Sequence, residues 1–324
     1  MTISVIMAVF NGSRFLSDAV DSVLNQTLKD FELIIVHGAS TDSSGEILEA
    51  YANKDRRIKF IDRPHAGYAA ALNIAIENSA HELIAVMDAD DVMMPNRLER
   101  QLSFIVTQPN ISVACSYAYF IDIMGRTIGI SQNTVDVDRG RNERNPKLFS
   151  EIVNPSVLMR KKDILQIGGY RDLYFCADRD LWGRLVTAGF DIRCQPEILL
   201  GYRLHLGALS AQTMRRNSLY ATYCDVNVVR RLQGEEEISF ESFLVERKQR
   251  SLFAKLNDYR KTSALMHYKR STRYRGECLY GRCVLSLALA VALDPFHVLK
   301  RTWTKWATDK MSKTIEPKRM NPAE

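Results

Sequence analysis

What most constrains this chain is an alternation that begins at its third residue. Ile3-Ser-Val-Ile-Met-Ala-Val9 is a short, nearly continuous apolar run closed by Asn11-Gly12, the pattern of a strand buried on both faces of a parallel sheet. Phe15, Leu16, Ala19, Val20, Val23 and Leu24 then recur at helical spacing. The same reading predicts strands over 32–36, 58–61 and 83–87, with helices over 45–51 and 68–77 between them. Pro95 suits a first helical turn and opens a helix to about Gln108. Strands alternating with short helices require crossovers, so the fold class is α/β, with a Rossmann-like, mostly parallel, doubly wound sheet. Ligands of such sheets bind beyond the carboxyl ends of the strands. Here those ends are 8–11, 37–42 and 88–91, each polar or glycine-bearing.

The 324 residues, 46% apolar and 25% charged, suffice for one sizeable domain and an extension. From Ser271 onward ten Lys/Arg face five Asp/Glu, which accounts for nearly all of the net charge of +6. A basic tail beside an apolar run points to an anionic membrane surface, whereas a chain basic throughout would suggest nucleic acid. Nucleic acid is therefore not an expected partner. The six cysteines are scattered without a C-x-x-C pair or a dense framework, which predicts free thiols in a reduced, cytoplasmic compartment. The apolar run at the N-terminus reads as a strand and not as an export signal.

Residues 125–145 are polar, with Asp136, Asp138, Arg139, Arg141, Glu143 and Arg144 close together. They read as a mobile loop, either a solvated excursion or a lid over substrate. Beyond Ser210 the pattern is helical, with candidate helices near 213–233, 239–257 and 278–293. Neither an internal repeat nor a low-complexity segment is visible.

Met87-Asp88-Ala89-Asp90-Asp91 places three carboxylates within four residues directly after a buried strand. Their like charges repel unless a cation neutralises them. Magnesium or manganese prefers oxygen ligands and keeps positions for phosphate, which suits such a cluster to a diphosphate. A solvated turn with capping aspartates is the plain alternative.

Ser4-Val-Ile-Met-Ala-Val-Phe-Asn11, Phe31-Glu-Leu-Ile-Ile-Val36 with Ser40-Thr-Asp42, and Asp88-Ala-Asp-Asp91 followed by Pro95 and Arg97-Leu-Glu99 resemble, in order and spacing, the family 2 glycosyltransferases. The resemblance implies a GT-A fold and an inverting, metal-dependent transfer from a nucleotide-diphosphate sugar. It assigns nucleotide-sugar contacts to Ala8, Val9, Phe10, Asn11, His37, Gly38, Asn73, Asp88, Ala89 and Arg203. A divalent cation, manganese or magnesium, falls to Asp88, Asp90 and His205. The family often carries two acidic residues after the second strand, one of them on the base, where this chain reads Val36-His37-Gly38. No carboxylate stands there to accept a base N–H, so the base stays unassigned, and His37 reads either as a surface loop residue or as a nucleotide contact.

Asn154-Pro-Ser-Val-Leu-Met-Arg160, Ile167-Gly-Gly-Tyr170 and Ala177-Asp-Arg-Asp-Leu-Trp182 resemble the acceptor half of the same family. A family acidic position has become Ala177, while Asp178 is kept, and the resemblance makes it the general base. Capping and compensation of the helix dipole, worth about 1 kcal/mol, compete with that role for Asp178. Asp180 is read as a cap or an acceptor contact. Tyr202-Arg-Leu-His205, with Ser210 beyond, resembles the closing motif that returns an arginine and a histidine to the diphosphate and the metal.

The expected organisation is a GT-A catalytic domain over 1–210, with a nucleotide-binding half at 1–108 and an acceptor half at 109–210. A helical region over 211–324 follows. Its uncharged stretch 283–293 is too short to span a bilayer, which takes about 20 residues. Arg273, Arg275, Arg282, Lys300 and Arg301, with Trp303 and Trp306, fit an interfacial helix on the inner face of the cell membrane; a helix packed on protein, or on a second copy of the chain, is the alternative. The expected acceptor is a glycan or lipid-linked sugar in cell-surface polysaccharide synthesis. A catalytically silent nucleotide-sugar-binding or scaffold protein is the rival reading. A nucleotidyltransferase would show a glycine-rich, lysine-bearing loop where this chain has Asn11-Gly-Ser-Arg14.

Overall fold

The computed structural model describes residues 2–299 apart from 64–66, 133–134, 151 and 297. Strands β1 (Ile3–Val9), β2 (Phe31–His37), β3 (Ile58–Asp62) and β4 (Leu83–Asp88) lie parallel in the order β3-β2-β1-β4. Ile6, Ile34, Val36, Ile84 and Val86 enter one hydrophobic core, and Val5, Met7, Leu33, Ile35, Ala85 and Met87 enter another. Successive strand side chains point to opposite faces. With both faces dry, the strands show no polar alternation, and each large buried side chain contributes about 1.5–3 kcal/mol. Helices α1 (Ser13–Leu24), α2 (Ser44–Lys54) and α3 (Tyr68–Glu77) make the crossovers, α1 burying Phe15, Leu16, Ala19, Val20 and Val23 as their spacing predicts.

Beyond β4 the chain forms β5 (Val92–Met93), α4 (Arg97–Val106), β6 (Ile111–Ile121), β7 (Thr127–Ser131), α5 (Val137–Asn142), α6 (Lys147–Ser150), β8 (Leu158–Arg160), α7 (Lys161–Gln166), α8 (Ala177–Thr187) and β9 (Asp191–Arg203). The strand order continues β8-β6-β9-β5, and β8 pairs antiparallel with both β4 and β6. The α/β sheet that the alternation implies is thus parallel at its core and extended by antiparallel strands.

Two compact units divide the chain. The first comprises Met1–Ala118, Gln132–Arg203 and Thr213–Gln249, and holds both cores together with helices α10 (Met214–Leu232) and α11 (Phe240–Gln249). The second comprises Tyr119–Ser131, Leu204–Gln212 and the chain from Arg250, with α9 (Leu209–Gln212), α12 (Leu252–Gly276) and α13 (Tyr280–Leu293). In it α12 and α13 pack around Tyr268, Ala290 and Val298.

Two expectations are corrected. The polar segment 125–145 is not a plain loop, because it contains β7 and α5. The Asp136 carboxylate caps α5 by accepting the Arg139 N–H at 3.0 Å, and Arg141 ties it down by donating to the Val186 and Phe190 carbonyls at 3.0 and 2.6 Å. The single helix expected over 239–257 is two, since Ser251 starts α12 by accepting the Ala254 N–H at 3.3 Å.

Candidate active site

At the carboxyl edge of the parallel strands, the end of β1 is laced to the segment after β2. Asn11 adopts a left-handed backbone (φ 49°), its N–H reaches Ser40 Oγ at 2.9 Å, and its side-chain Oδ1 accepts the Thr41 N–H at 2.8 Å. Asp42 accepts from Ser13 N–H at 3.0 Å and from the Ser44 hydroxyl at 2.6 Å. Burial works to raise its pKa, but these hydrogen bonds win and hold the carboxyl at about 2. Ala8 and Val9 belong to the strand itself, Phe10 is exposed, and the Gly38 N–H donates to the Val9 carbonyl at 2.9 Å. His37 is the last residue of β2 and is buried, not a surface loop residue.

The acidic turn begins where β4 ends. One oxygen from each of Asp88, Asp90 and Asp91 lies within 4.8 Å of the others. Burial first, then the charge of Asp90, pushes the Asp88 carboxyl up to about 7, and Asp178 adds to the rise while the Tyr68 hydrogen bond opposes it. Asp91 is 1% exposed; its Oδ1 accepts the Arg203 N–H at 2.8 Å, and its Oδ2 is buried without a hydrogen-bond partner among the described residues. Three hard oxygen donors, mutually repelling and with one buried oxygen unsatisfied, fit a divalent cation. Ala89 sits half-buried between them.

Two arginines hold this turn. Arg97, wholly buried on the first turn of α4, donates to the Val86 and Val157 carbonyls at 3.2 and 3.1 Å and to Gln101 Oε1 at 2.8 Å. Burial pulls its pKa down to about 9, and the charges of Asp91 and Asp88 work to keep it protonated. Arg203 donates from Nε to the Asp90 carbonyl at 2.8 Å, pairs with Asp18 at 3.1 Å, and lies 4.4 Å over the Phe15 ring.

A chain of hydrogen bonds runs from the turn into the later part of the first unit. Tyr68, first residue of α3, donates its hydroxyl to Asp88 Oδ1 at 2.9 Å and accepts the Asn154 amide N–H at 2.9 Å. Asn154 Oδ1 in turn accepts the Tyr170 hydroxyl at 3.3 Å. Asn73 spends both ends of its amide on the Tyr170 backbone, donating at 2.7 Å and accepting at 2.9 Å. Gly169, at φ +66°, permits that clasp, since a Cβ there would lie 2.6 Å from Asn73 Oδ1. Asn154 and Tyr170 stand in the motifs that resemble the acceptor half but carry no role of their own in the sequence reading, and Tyr68 appears there only as the start of a helix. The signal available for Tyr68 was its place at the head of a helix that opens on the carboxyl edge.

Asp178 stands in the first turn of α8. Its charge acts on Asp88, Tyr68 and Tyr170 and adds to the rise in the pKa of each, which puts it within electrostatic reach of the acidic turn. Burial raises the pKa of Asp178 itself, against the pull of the Arg179 N–H and guanidinium. Arg179 pairs with Asp225 of α10 at 2.8 Å and fixes this end of α8. Asp180 makes no cap; it is buried and pairs with Arg184 at 2.7 Å. Ala177 is buried in the core, where an unpaired carboxylate would be costly. His205 and Ser210 belong to the second unit, where His205 is buried and Ser210 accepts from Arg273 at 2.9 Å.

The family model described as Glycosyl transferase family 2 matches residues 4–165. This chain belongs to glycosyl transferase family 2. The chain is similar to the O-antigen biosynthesis glycosyltransferase WbnJ of Escherichia coli, 30% identical over 213 residues, which cover 63% of this chain and 80% of that one. Among solved structures, S. aureus TarS residues 1–349 with UDP superposes with a TM-score of 0.57 at 14% identity, over 92% of this chain and 91% of that one. The mannosyltransferase PcManGT of Pyrobaculum calidifontis, with GDP-Man and Mn2+, gives 0.55 at 14% identity over 96% and 82%. The fold is GT-A. This family 2 glycosyltransferase carries the acidic turn at the end of its fourth parallel strand, and it buries both His37 and Ala177.

Proposed function

We propose that this glycosyltransferase moves a sugar, with inversion, from a nucleotide-diphosphate sugar to a hydroxyl of a glycan or lipid-linked acceptor in polysaccharide synthesis. The observation that supports the reading is the cluster of Asp88, Asp90 and Asp91 at the end of β4, with the carboxylate of Asp178 within electrostatic reach of it. Asp88 and Asp90 would hold the divalent cation, with Asp91 behind them. When bound, such a cation offsets the charge that develops on the departing diphosphate. Ala8, Val9, Phe10, Asn11, Gly38 and Ala89 face the nucleotide, with His37 buried at the end of β2. Arg203 acts on it through the turn it fixes, and Asn73 through Tyr170.

Asp178 accepts the proton of the acceptor hydroxyl, whose oxygen attacks the anomeric carbon on the face away from the leaving diphosphate. Burial suits Asp178 to that task, because it makes the carboxylate more basic than in water. Tyr68, Asn154 and Tyr170 keep the two carboxylates in register across the site. A thermal-shift series with manganese and UDP, GDP, dTDP or CMP tests the donor side. Binding to the native state raises apparent stability, by about 2.7 kcal/mol at a hundredfold excess over Kd. A manganese-dependent rise with a diphosphate is expected, and no rise with any diphosphate overturns the reading.

We also propose that the second unit attaches peripherally to a membrane from the cytoplasmic side. Among the described residues no helix is long and apolar enough to cross one. On α13, Ser286 and Ala290 face α12, while Val284, Leu285 and Leu289 lie on the exposed side, with Phe296 89% exposed just beyond. Arg282 flanks that stripe, as interfacial helices require. Lys300, Arg301, Trp303 and Trp306, expected to join it, lie outside the described residues.

A further inference from the structure

The hydrogen bonds from Asp88 through Tyr68 to Asn154 lead toward the start of β8, which flanks β4 on the side away from β1. The charge of Asp178 acts on Tyr68 and Tyr170 of that same network; a donor sugar attacked with its help points that way. With the diphosphate on the acidic turn, the nucleoside then runs the other way, over the carboxyl edge of β1, β2 and β3. This step rests on the proposed function. Along that edge the parallel register sets Asp88 beside Ala8, Val9 beside His37, and His37 beside Asp62. Three strand spacings of about 4.8 Å, roughly 14 Å in all, thus separate Asp88 from Asp62, the scale of an extended nucleoside diphosphate.

At the far end stands an organised pair. His37 is 8% exposed, with Nδ1 at 2.9 Å from Asp62 Oδ1 and Nε2 at 3.4 Å from the Ser40 N–H. A ring nitrogen that accepts a backbone N–H leaves the proton on the other, so Nδ1 donates to Asp62. Phe60 packs 5.9 Å from the ring, and a Cβ on Gly45 would lie 3.4 Å from its Cε1, so the ring is confined. The Asp62 side chain is 58% exposed, and its Oδ2 has no partner among the described residues. The end of β2 has no carboxylate at 37 or 38; β3 supplies one beside it, oriented by the buried histidine.

We propose that His37 and Asp62 form the base-reading end of the donor site. The outer oxygen of Asp62 accepts the ring N–H that uracil, thymine and guanine carry and cytosine lacks, and His37 holds that carboxylate in place. The donor class is thereby narrowed to nucleoside diphosphates with a ring N–H donor. The pairing also explains why a histidine is accommodated at 37: it orients the reading group supplied by the neighbouring strand.

The test measures manganese-dependent affinities of the full chain for UDP, dTDP, GDP and CDP. The unsubstituted protein is expected to bind at least one of the first three about 10-fold or more tighter than CDP, the worth of a hydrogen bond to a charged group. Asp62→Ala is expected to abolish that preference. Asp62→Asn, which keeps the side-chain shape and adds a donor, is expected to shift the ratio toward CDP. Equal binding of CDP by the unsubstituted protein, or an unchanged ratio in both variants, overturns the inference and leaves the donor reading standing. Absence of binding by all four overturns both together.

Discussion

Tyr68 and Asp88 share a 2.9 Å hydrogen bond that joins the first turn of α3 to the end of β4. The phenol also accepts from Asn154, so one hydroxyl couples the acidic turn to the part of the first unit that holds Tyr170 and Asp178. Removing that hydroxyl leaves the ring packed and uncouples the two. Tyr68→Phe is expected to weaken manganese-dependent binding of a donor diphosphate by about 10-fold, corresponding to about 1.5 kcal/mol. A manganese titration read by calorimetry checks it, and an unchanged affinity would show that the phenol merely fills space.

Arg97 is the buried counter-charge beneath Asp88 and Asp91, bonded to the Val86 and Val157 carbonyls. Arg97→Met keeps much of the volume and removes the charge and three hydrogen bonds. Stripping one member from a buried charged network costs about 3–5 kcal/mol. The variant should unfold at correspondingly lower denaturant. A loss below about 1 kcal/mol in urea unfolding would contradict the assignment.

How much of this was legible beforehand differs by region. β1 to β4 were readable because burial on both faces leaves apolar runs without alternation, and the clustering of Asp88, Asp90 and Asp91 because they stand within four residues of one another. α5 was not, because its anchors are Arg141 bonds to carbonyls 45 and 49 residues away, in a stretch whose own composition is polar. Tyr68 meets Asn154, 86 residues on, and Asp62 meets His37 through a strand register. Neither relation has a local signature. Asp180 illustrates the converse: its position fits a cap, yet Arg184 one turn on takes its carboxylate.

The outward face of α13 makes a prediction of its own. Replacing Leu285, Leu289 and Phe296 with Ser removes apolar surface that is exposed in the second unit, at little expected cost to folding. Co-sedimentation with vesicles of anionic phospholipid should fall several-fold, since interfacial binding scales with buried apolar area at about 25 cal/mol per Å². Undiminished sedimentation would contradict membrane attachment through this face.

The central claim is that one carboxylate, Asp178, takes the acceptor proton opposite a diphosphate anchored on Asp88 and Asp90. The most direct measurement compares Asp178→Asn with Asp90→Ala for both manganese-dependent donor binding and sugar transfer. Asp178→Asn should bind donor within about 3-fold of the unsubstituted protein and lose transfer by about 100-fold or more, the scale of general-base catalysis. Asp90→Ala should lose binding. Transfer that survives Asp178→Asn, or donor binding that survives Asp90→Ala, contradicts the account.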